Sequence, residues 1–300
     1  MVNTIALIGF TATQSENSAV SVEHYENFPV ASLLCPPSMR PAVTAIYDFA
    51  RTADDLADEG DASAEQRLAD LADYRRDLTA VFTASPPSAR WAPVFGALAQ
   101  AVDTYGLPMS CLADLLSAFE QDVHNPTYQT RDDLLTYCAR SANPVGRLLL
   151  HLYGVNDVAS LRQSDAICSA LQLANFWQDL GVDLRRGRDY LPQDDLLRHG
   201  LRRHELLQLS HRTALRSLVR DLVAWTEALM AEGMPLATRL PGRVGWELRL
   251  VAQGGLRILQ KIEQQGFDSV ARRPAVTAFD LPLLLWRGLR MRPAPPERIA

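Results

Sequence analysis

The chain reads as one all-α domain, a bundle of helices, and three observations predict it. Apolar residues recur at helical spacing from about residue 42 to 290, while the period-2 alternation of half-buried strands is nearly absent. Pro, Gly and Asn gather at the breaks between these runs. No stretch is long or polar enough to divide two domains, and no fixed-period repeat is visible. With 300 residues and 47% hydrophobic content, the chain can bury a sizeable core.

The elements follow in order. Residues 1–20, rich in Thr, Ser, Asn and Ala, read as a loose tail. Pro36, Pro37 and Pro41 precede a helix over 42–58, Pro41 suiting the first helical turn. Gly60 and Asp61 break it, and a second helix spans 63–82, up to the proline-containing loop 85–88. A third covers 94–105 and ends at Gly106–Pro108; a fourth covers 110–124 and closes at Asn125–Pro126. Helices over 131–141 and 145–153 flank Asn143–Pro144. A long helix over 159–185 stops at Gly187, and Tyr190–Pro192 is a connector. Helical pattern returns over 203–232, 243–265 and 280–290, before a mobile Pro-rich tail at 291–300. The domain is therefore expected over 21–290.

A net charge of −5 leaves no basic excess to neutralise phosphates, which argues against a nucleic-acid partner. Of 30 basic residues only Lys261 is lysine, a bias we ascribe to a GC-rich genome. Cys35, Cys111, Cys138 and Cys168 form no C-x-x-C pair or Cys/His cluster, so neither a zinc site nor a disulfide framework is expected. The short apolar run Ile5–Phe10 has no Lys or Arg before it, a poor fit to a signal peptide, and no stretch approaches the roughly 20 apolar residues that span a bilayer. The expectation is a cytoplasmic protein with at most peripheral contact to the inner membrane.

Two acidic helices carry the chemistry. In Tyr47–Asp58, Asp54 and Asp58 are four apart and share a helix face about 6 Å apart along the axis. Arg51 and Tyr47 extend that face, and Asp55 is rotated off it. Stacked carboxylates at a helix C-terminus repel each other and oppose the helix dipole; a divalent cation reverses both penalties. Mg²⁺ suits such a site, taking one or two carboxylates plus substrate phosphates. The competing reading is a solvated acidic helix end. An EF-hand loop starting at Asp55 fails at Ala57 and Gln66. In Leu171–Asp183, Asn175, Asp179 and Asp183 fall at i, i+4 and i+8, with Gln172 behind them and apolar residues on the flanks. Three stacked polar groups on a buried helix need partners, either metal or a satisfied core network including Arg185 or Arg186. If the helices face each other, their carboxylates would hold a Mg²⁺ cluster that binds a diphosphate and stabilises its departure. Apolar and aromatic walls between them would shelter the resulting carbocation.

These motifs, with Tyr137–Gly146 and Arg185–Pro192, resemble the squalene/phytoene synthase family over roughly residues 22–265. The resemblance implies an isoprenoid-synthase-type helical bundle with a central apolar cavity. Within the family, the segments His24–Ser32, Arg140–Arg147 and Asn175–Asp179 are most similar to its hydroxysqualene synthase branch of bacterial hopanoid biosynthesis. Family members that condense two prenyl diphosphates usually carry serines in the first of these segments, where this chain has Tyr25 and Asn27. The implied reaction is presqualene diphosphate plus water giving hydroxysqualene and pyrophosphate.

The resemblance also implies roles. Asp54, Asp58, Asn175, Asp179 and Asp183 would hold Mg²⁺. Arg51, Arg140 and Arg188 would bind diphosphate oxygens, for which a guanidinium fork is suited. Tyr47, Tyr137 and Tyr190 would orient the leaving group, and Gln172 would support the second motif. Phe28, Val145, Leu149 and Phe176 would wall the hydrocarbon, with Tyr25 or Asn27 near the attacking water. No Gly-rich dinucleotide fingerprint is present, and no NADPH is expected. The expected partners are the prenyl diphosphate substrate, a membrane touched peripherally and neighbouring enzymes of squalene biosynthesis. Two other readings stay open: a head-to-head prenyl diphosphate condensing synthase, and a scaffold that kept the fold without catalysis.

Overall fold

A computed structural model describes residues 35–291. The tail expected at 1–20, nearly all of that at 291–300, and Tyr25, Asn27 and Phe28 lie outside them. Eleven α-helices and no strand occur among the described residues. The helices are α1 (Arg40–Asp58), α2 (Ala64–Phe82), α3 (Ala92–Tyr105), α4 (Met109–Val123), α5 (Arg131–Ser141), α6 (Asn143–Leu152), α7 (Val158–Arg185), α8 (Gln193–Arg198), α9 (Arg212–Arg239), α10 (Gly242–Gln264) and α11 (Leu281–Arg290).

Local chemistry explains the starts. Pro lies in the first turn of α1, α3, α6 and α11, where its missing N–H costs nothing. Ser63 and Asp157 cap α2 and α7 by accepting from Gln66 and Ser160. Thr130 and Asp133 form a capping box on α5.

Two expectations about the second half are corrected. The helix expected over 203–232 begins at Arg212; residues 203–211 form two 3-10 turns, with Arg203 tied to the carbonyls of Tyr128 and Leu191. At its other end α9 runs through Gly233 and Pro235 to Arg239. A side chain at 233 would meet the Gln163 carbonyl at 2.6 Å, so glycine here serves helix packing rather than termination. The short α8 lies in a stretch left unassigned from the sequence.

Among the described residues, three apolar clusters make the core. The first joins α1–α4 around Phe49, Tyr74 and Phe95. The second lies among α5, α7, α9 and α10, and the third where α6, α7, α9 and α10 meet. α7 and α9, each 28 residues long, pack along one another as the spine. α11 closes on α10, pinned where Asp280 accepts from Arg257 at 2.7 Å and from Lys261 at 2.6 Å.

Candidate active site

α1 and α7 each run from apolar surroundings to an acidic end. Near their starts, Val43 of α1 and Ser164, Ile167, Cys168 and Leu171 of α7 line one cavity, with an empty volume of about 920 Å³ including its mouth. Val145, Gly146 and Leu149 of α6, Leu236 of α9 and Val244, Leu248 and Val251 of α10 also line it. Val145 and Leu149, expected as hydrocarbon walls, are among the residues that line this cavity. Among its polar residues, Cys35, Tyr153 and Glu247 sit together at one side. Further along the same helices come the acids: Asp54 and Asp58 on α1, Asp179 and Asp183 on α7. At 1.5 Å per residue, Asp54 is roughly 16 Å beyond Val43 and Asp179 roughly 12 Å beyond Leu171.

The two acidic ends are joined through one arginine. Arg188, just beyond α7, reaches Asp58 at the end of α1 with both terminal nitrogens, one of them at 3.2 Å. Against the desolvation of burial, this hydrogen bond and charge hold Asp58 below the usual carboxylate range. Arg51 lies along its own helix, on Asp55 at 2.8 Å, Glu59 at 2.9 Å and Asp54 at 3.6 Å. Asp179 is bound by Arg273, whose Nη2 is 3.3 Å from Oδ2. Asp183 has less compensation: burial, then the neighbouring Asp179 charge, pushes it up to about 7. Asp55 is likewise pushed up to about 6, first by burial.

Beside the acids is an aromatic wall. Tyr190 stacks flat on Phe176, with centroids 3.8 Å apart and planes 4° from parallel. Tyr137 stands 6.4 Å from Tyr190 and 5.7 Å from Tyr128. Phe176, expected to wall the hydrocarbon, is not among the residues lining the cavity described above, and Tyr190 covers one face of its ring. Tyr137 donates to Asp122 Oδ2 at 3.0 Å. Burial pushes Asp122 up to about 7, and raises the Tyr137 hydroxyl well above its ordinary value. Tyr47 and Gln172 are buried on the inward faces of α1 and α7, and Asn175 is half-buried. Arg140 donates to the Gln121 side-chain carbonyl.

Several residues that shape the site were not anticipated. Asp122 follows Leu112, Leu115 and Phe119 at helical spacing, a periodicity that places it on the buried face of α4. Arg203 holds the loop that carries Arg188 and Tyr190, binding Asp189 and the Leu191 carbonyl. Asn125 donates to the Gly187 carbonyl at 2.8 Å. Arg273 arrives on a loop that passes close over α7: a side chain at Gly181 would meet the Val270 carbonyl oxygen at 2.6 Å. Gln178 fixes the same loop by donating to the Pro274 carbonyl at 2.7 Å. His151 and His199 have structural partners, the Tyr105 carbonyl and Asp221.

Among the described residues, no three His, Cys, Asp or Glu side chains converge as a preformed metal cage. Asp58 and Asp179 are turned onto guanidinium groups, which stand where counter-charge is needed. The donor set nonetheless fits Mg²⁺. It is all oxygen apart from the choice of amide atom at Asn175, Asp183 lacks a full counter-charge, and Mg²⁺ keeps several waters while using only one or two carboxylates and the substrate phosphates.

Comparison with known proteins points to one family. A family model described as squalene/phytoene synthase matches residues 22–280. The chain is 33% identical over 240 residues to a hydroxysqualene synthase of Rhodopseudomonas palustris, covering 79% of this chain and 80% of that protein. It is 36% identical over 231 residues to the hydroxysqualene synthase of Zymomonas mobilis, covering 75% of each. Among solved structures, squalene synthase HpnC of Alicyclobacillus acidocaldarius superposes with a TM-score of 0.74 at 38% identity, covering 81% of this chain and 90% of that one. With two acidic helix ends bridged by an arginine beside an apolar cavity, and a family match over most of its length, this chain belongs to the squalene/phytoene synthase family of enzymes.

Proposed function

We propose that the chain ionises presqualene diphosphate in a Mg²⁺-dependent step and captures the cation with water, giving hydroxysqualene and pyrophosphate. The observation that carries this reading is the shared course of α1 and α7, from one apolar cavity to one pole of carboxylates and arginines. Such a course suits a long hydrocarbon with a diphosphate at one end. Relatives sharing about a third of their residues with this chain bear the name of that activity.

Asp54, Asp58, Asn175, Asp179 and Asp183 would hold Mg²⁺. Bound there, the ion supplies charge neutralisation to the diphosphate and eases pyrophosphate departure. Arg188 and Arg51, released from their carboxylates, offer planar forks to the diphosphate oxygens. The C–O bond to the diphosphate breaks with both electrons leaving on pyrophosphate. Val145, Leu149 and the apolar lining around them exclude bulk water, so the cation survives while its cyclopropane ring rearranges and a ring C–C bond breaks, one water oxygen bonding to the carbon left electron-deficient. That water then loses a proton, for which the departing pyrophosphate is a nearby base. No electron is transferred, so no NADPH is needed.

The test is product analysis with Mg²⁺ and without NADPH, on presqualene diphosphate and separately on farnesyl diphosphate. Hydroxysqualene from the first and no turnover of the second is the expected result. Consumption of farnesyl diphosphate would make the chain a condensing synthase instead.

A further inference from the structure

α11 presents an apolar stripe to the outside. Its buried side, Leu284 and Gly288, packs on α10 against Trp246 and Leu250. Pro282, Leu285, Trp286 and Leu289 fall at i, i+3, i+4 and i+7, on one other face, and all four are exposed. Leu289 is 67% exposed, Trp286 51% and Leu285 46%, and Phe279 in the preceding turn is 95% exposed. Four large apolar side chains in one exposed row are unusual for a surface with no partner.

The charge around the stripe is mainly basic. Residues 241–291 carry eight Lys and Arg against four Asp and Glu, in a chain whose net charge is −5. α11 itself has no acidic residue; Arg287 and Arg290 flank the stripe, and the Arg290 guanidinium lies 4.6 Å from the Trp286 ring centroid. The nearest acid, Asp280, is buried and already shared by Arg257 and Lys261. Aromatic and aliphatic side chains beside arginines match the interface of a bilayer with anionic headgroups. No helix of the described residues is long and apolar enough to cross a membrane.

We propose that the exposed face of α11, Phe279 through Leu289 with Arg287 and Arg290, is the surface by which this enzyme docks on an anionic lipid bilayer. The purpose assigned to it rests on the reading above, in which the substrate is a long hydrocarbon. α10 is the connecting layer. One side of it carries α11, and the other, through Val244, Leu248 and Val251, lines the cavity. Docking here therefore leaves two helix layers, α11 and α10, between the lipid and the cavity, roughly 20 Å.

The test uses the full chain and vesicles of phosphatidylglycerol and phosphatidylcholine, without substrate. The wild type is expected to sediment with these vesicles, to bind pure phosphatidylcholine far less, and to be largely released by 1 M NaCl. Trp286→Ser combined with Leu289→Ser should lower the partition coefficient at least tenfold, and Arg290→Gln about fivefold. Far-UV circular dichroism and turnover in detergent should stay within twofold of wild type for each variant. Brominated lipid should quench wild-type tryptophan fluorescence, and Trp286→Phe should remove that quenching while vesicle binding persists. Equal partition of wild type and the double variant overturns the proposal, as does a wild type that ignores acidic vesicles. A wild-type dimer that the double variant turns into a monomer, without vesicle affinity in either, assigns the face to a second copy and also overturns it. Vesicle binding is read without substrate, so failure of the product assay alone would leave the docking face standing and remove only the substrate reading.

Discussion

A carboxyl group enclosed among Tyr128, Tyr137 and Tyr190 has little means of staying charged. Asp122 accepts one hydrogen bond, from Tyr137, and burial lifts its pKa from 3.8 to about 7. The native state therefore keeps a proton that the unfolded chain releases near pH 4. The stability this contributes is complete below that pH and is lost as the pH rises through about 7. In the metal-free enzyme, Asp122→Asn should gain in melting temperature relative to wild type between pH 5 and pH 8. A difference that is constant over that range would contradict the assignment. Asp183 titrates in the same interval in both proteins, so the comparison isolates Asp122. Residues like these mark what was legible in the sequence. The i, i+4 acids of α1 and α7 are local patterns and can be read from spacing. Asp122 and Arg273 join the site only through tertiary contacts, 68 residues from Asp54 and 94 from Asp179 respectively.

α7 shows how one element serves packing and chemistry together. It carries the second acidic motif, lines the cavity and packs on α9, and Gly181 lets the loop bearing Arg273 cross it. That approach is backbone against backbone, with no flexible side chain to yield. Gly181→Ala should cost about 1–3 kcal/mol of stability by overpacking, measured by urea unfolding, and should lower turnover by displacing Arg273 from Asp179. Unchanged stability would mean that the loop is not seated as described. The helices up to residue 185 agree with the sequence pattern within about two residues, because proline, glycine and capping signals bound them. α9 does not, because the helix-breaking residues Gly233 and Pro235 are retained within it. α8 was missed because six residues are too few to show a period.

Across the molecule, apolar volume and charge are separated along the axes of α1 and α7. That polarity was legible once both motifs were placed on helices, but its closure by Arg188 and Arg273 was not. A pole of carboxylates neutralised by arginines should respond strongly to a ligand that brings both cation and anion. Pyrophosphate with Mg²⁺, at 100 times its dissociation constant, should stabilise the fold by about 2.7 kcal/mol. Thermal melts should show a shift of about 5 °C for a chain of this size. Asp54→Asn or Asp179→Asn should abolish the shift and the turnover while leaving the circular dichroism spectrum intact. A full shift in either variant would remove the metal reading of these residues.

The bond between Lys261 and Asp280 has a consequence for chemical labelling. Lys261 supplies the one lysine amine of the chain, and its Nζ is held by Asp280 and the Ala275 carbonyl, both at 2.6 Å. An acylating reagent can reach that nitrogen freely only when the turn before α11 lets go. The rate at which a single acyl group appears on Lys261 is thus a clock for α11 lifting from α10. A bilayer that binds α11 in its seated position would leave that clock unhurried, whereas one that pulls the helix away would speed it.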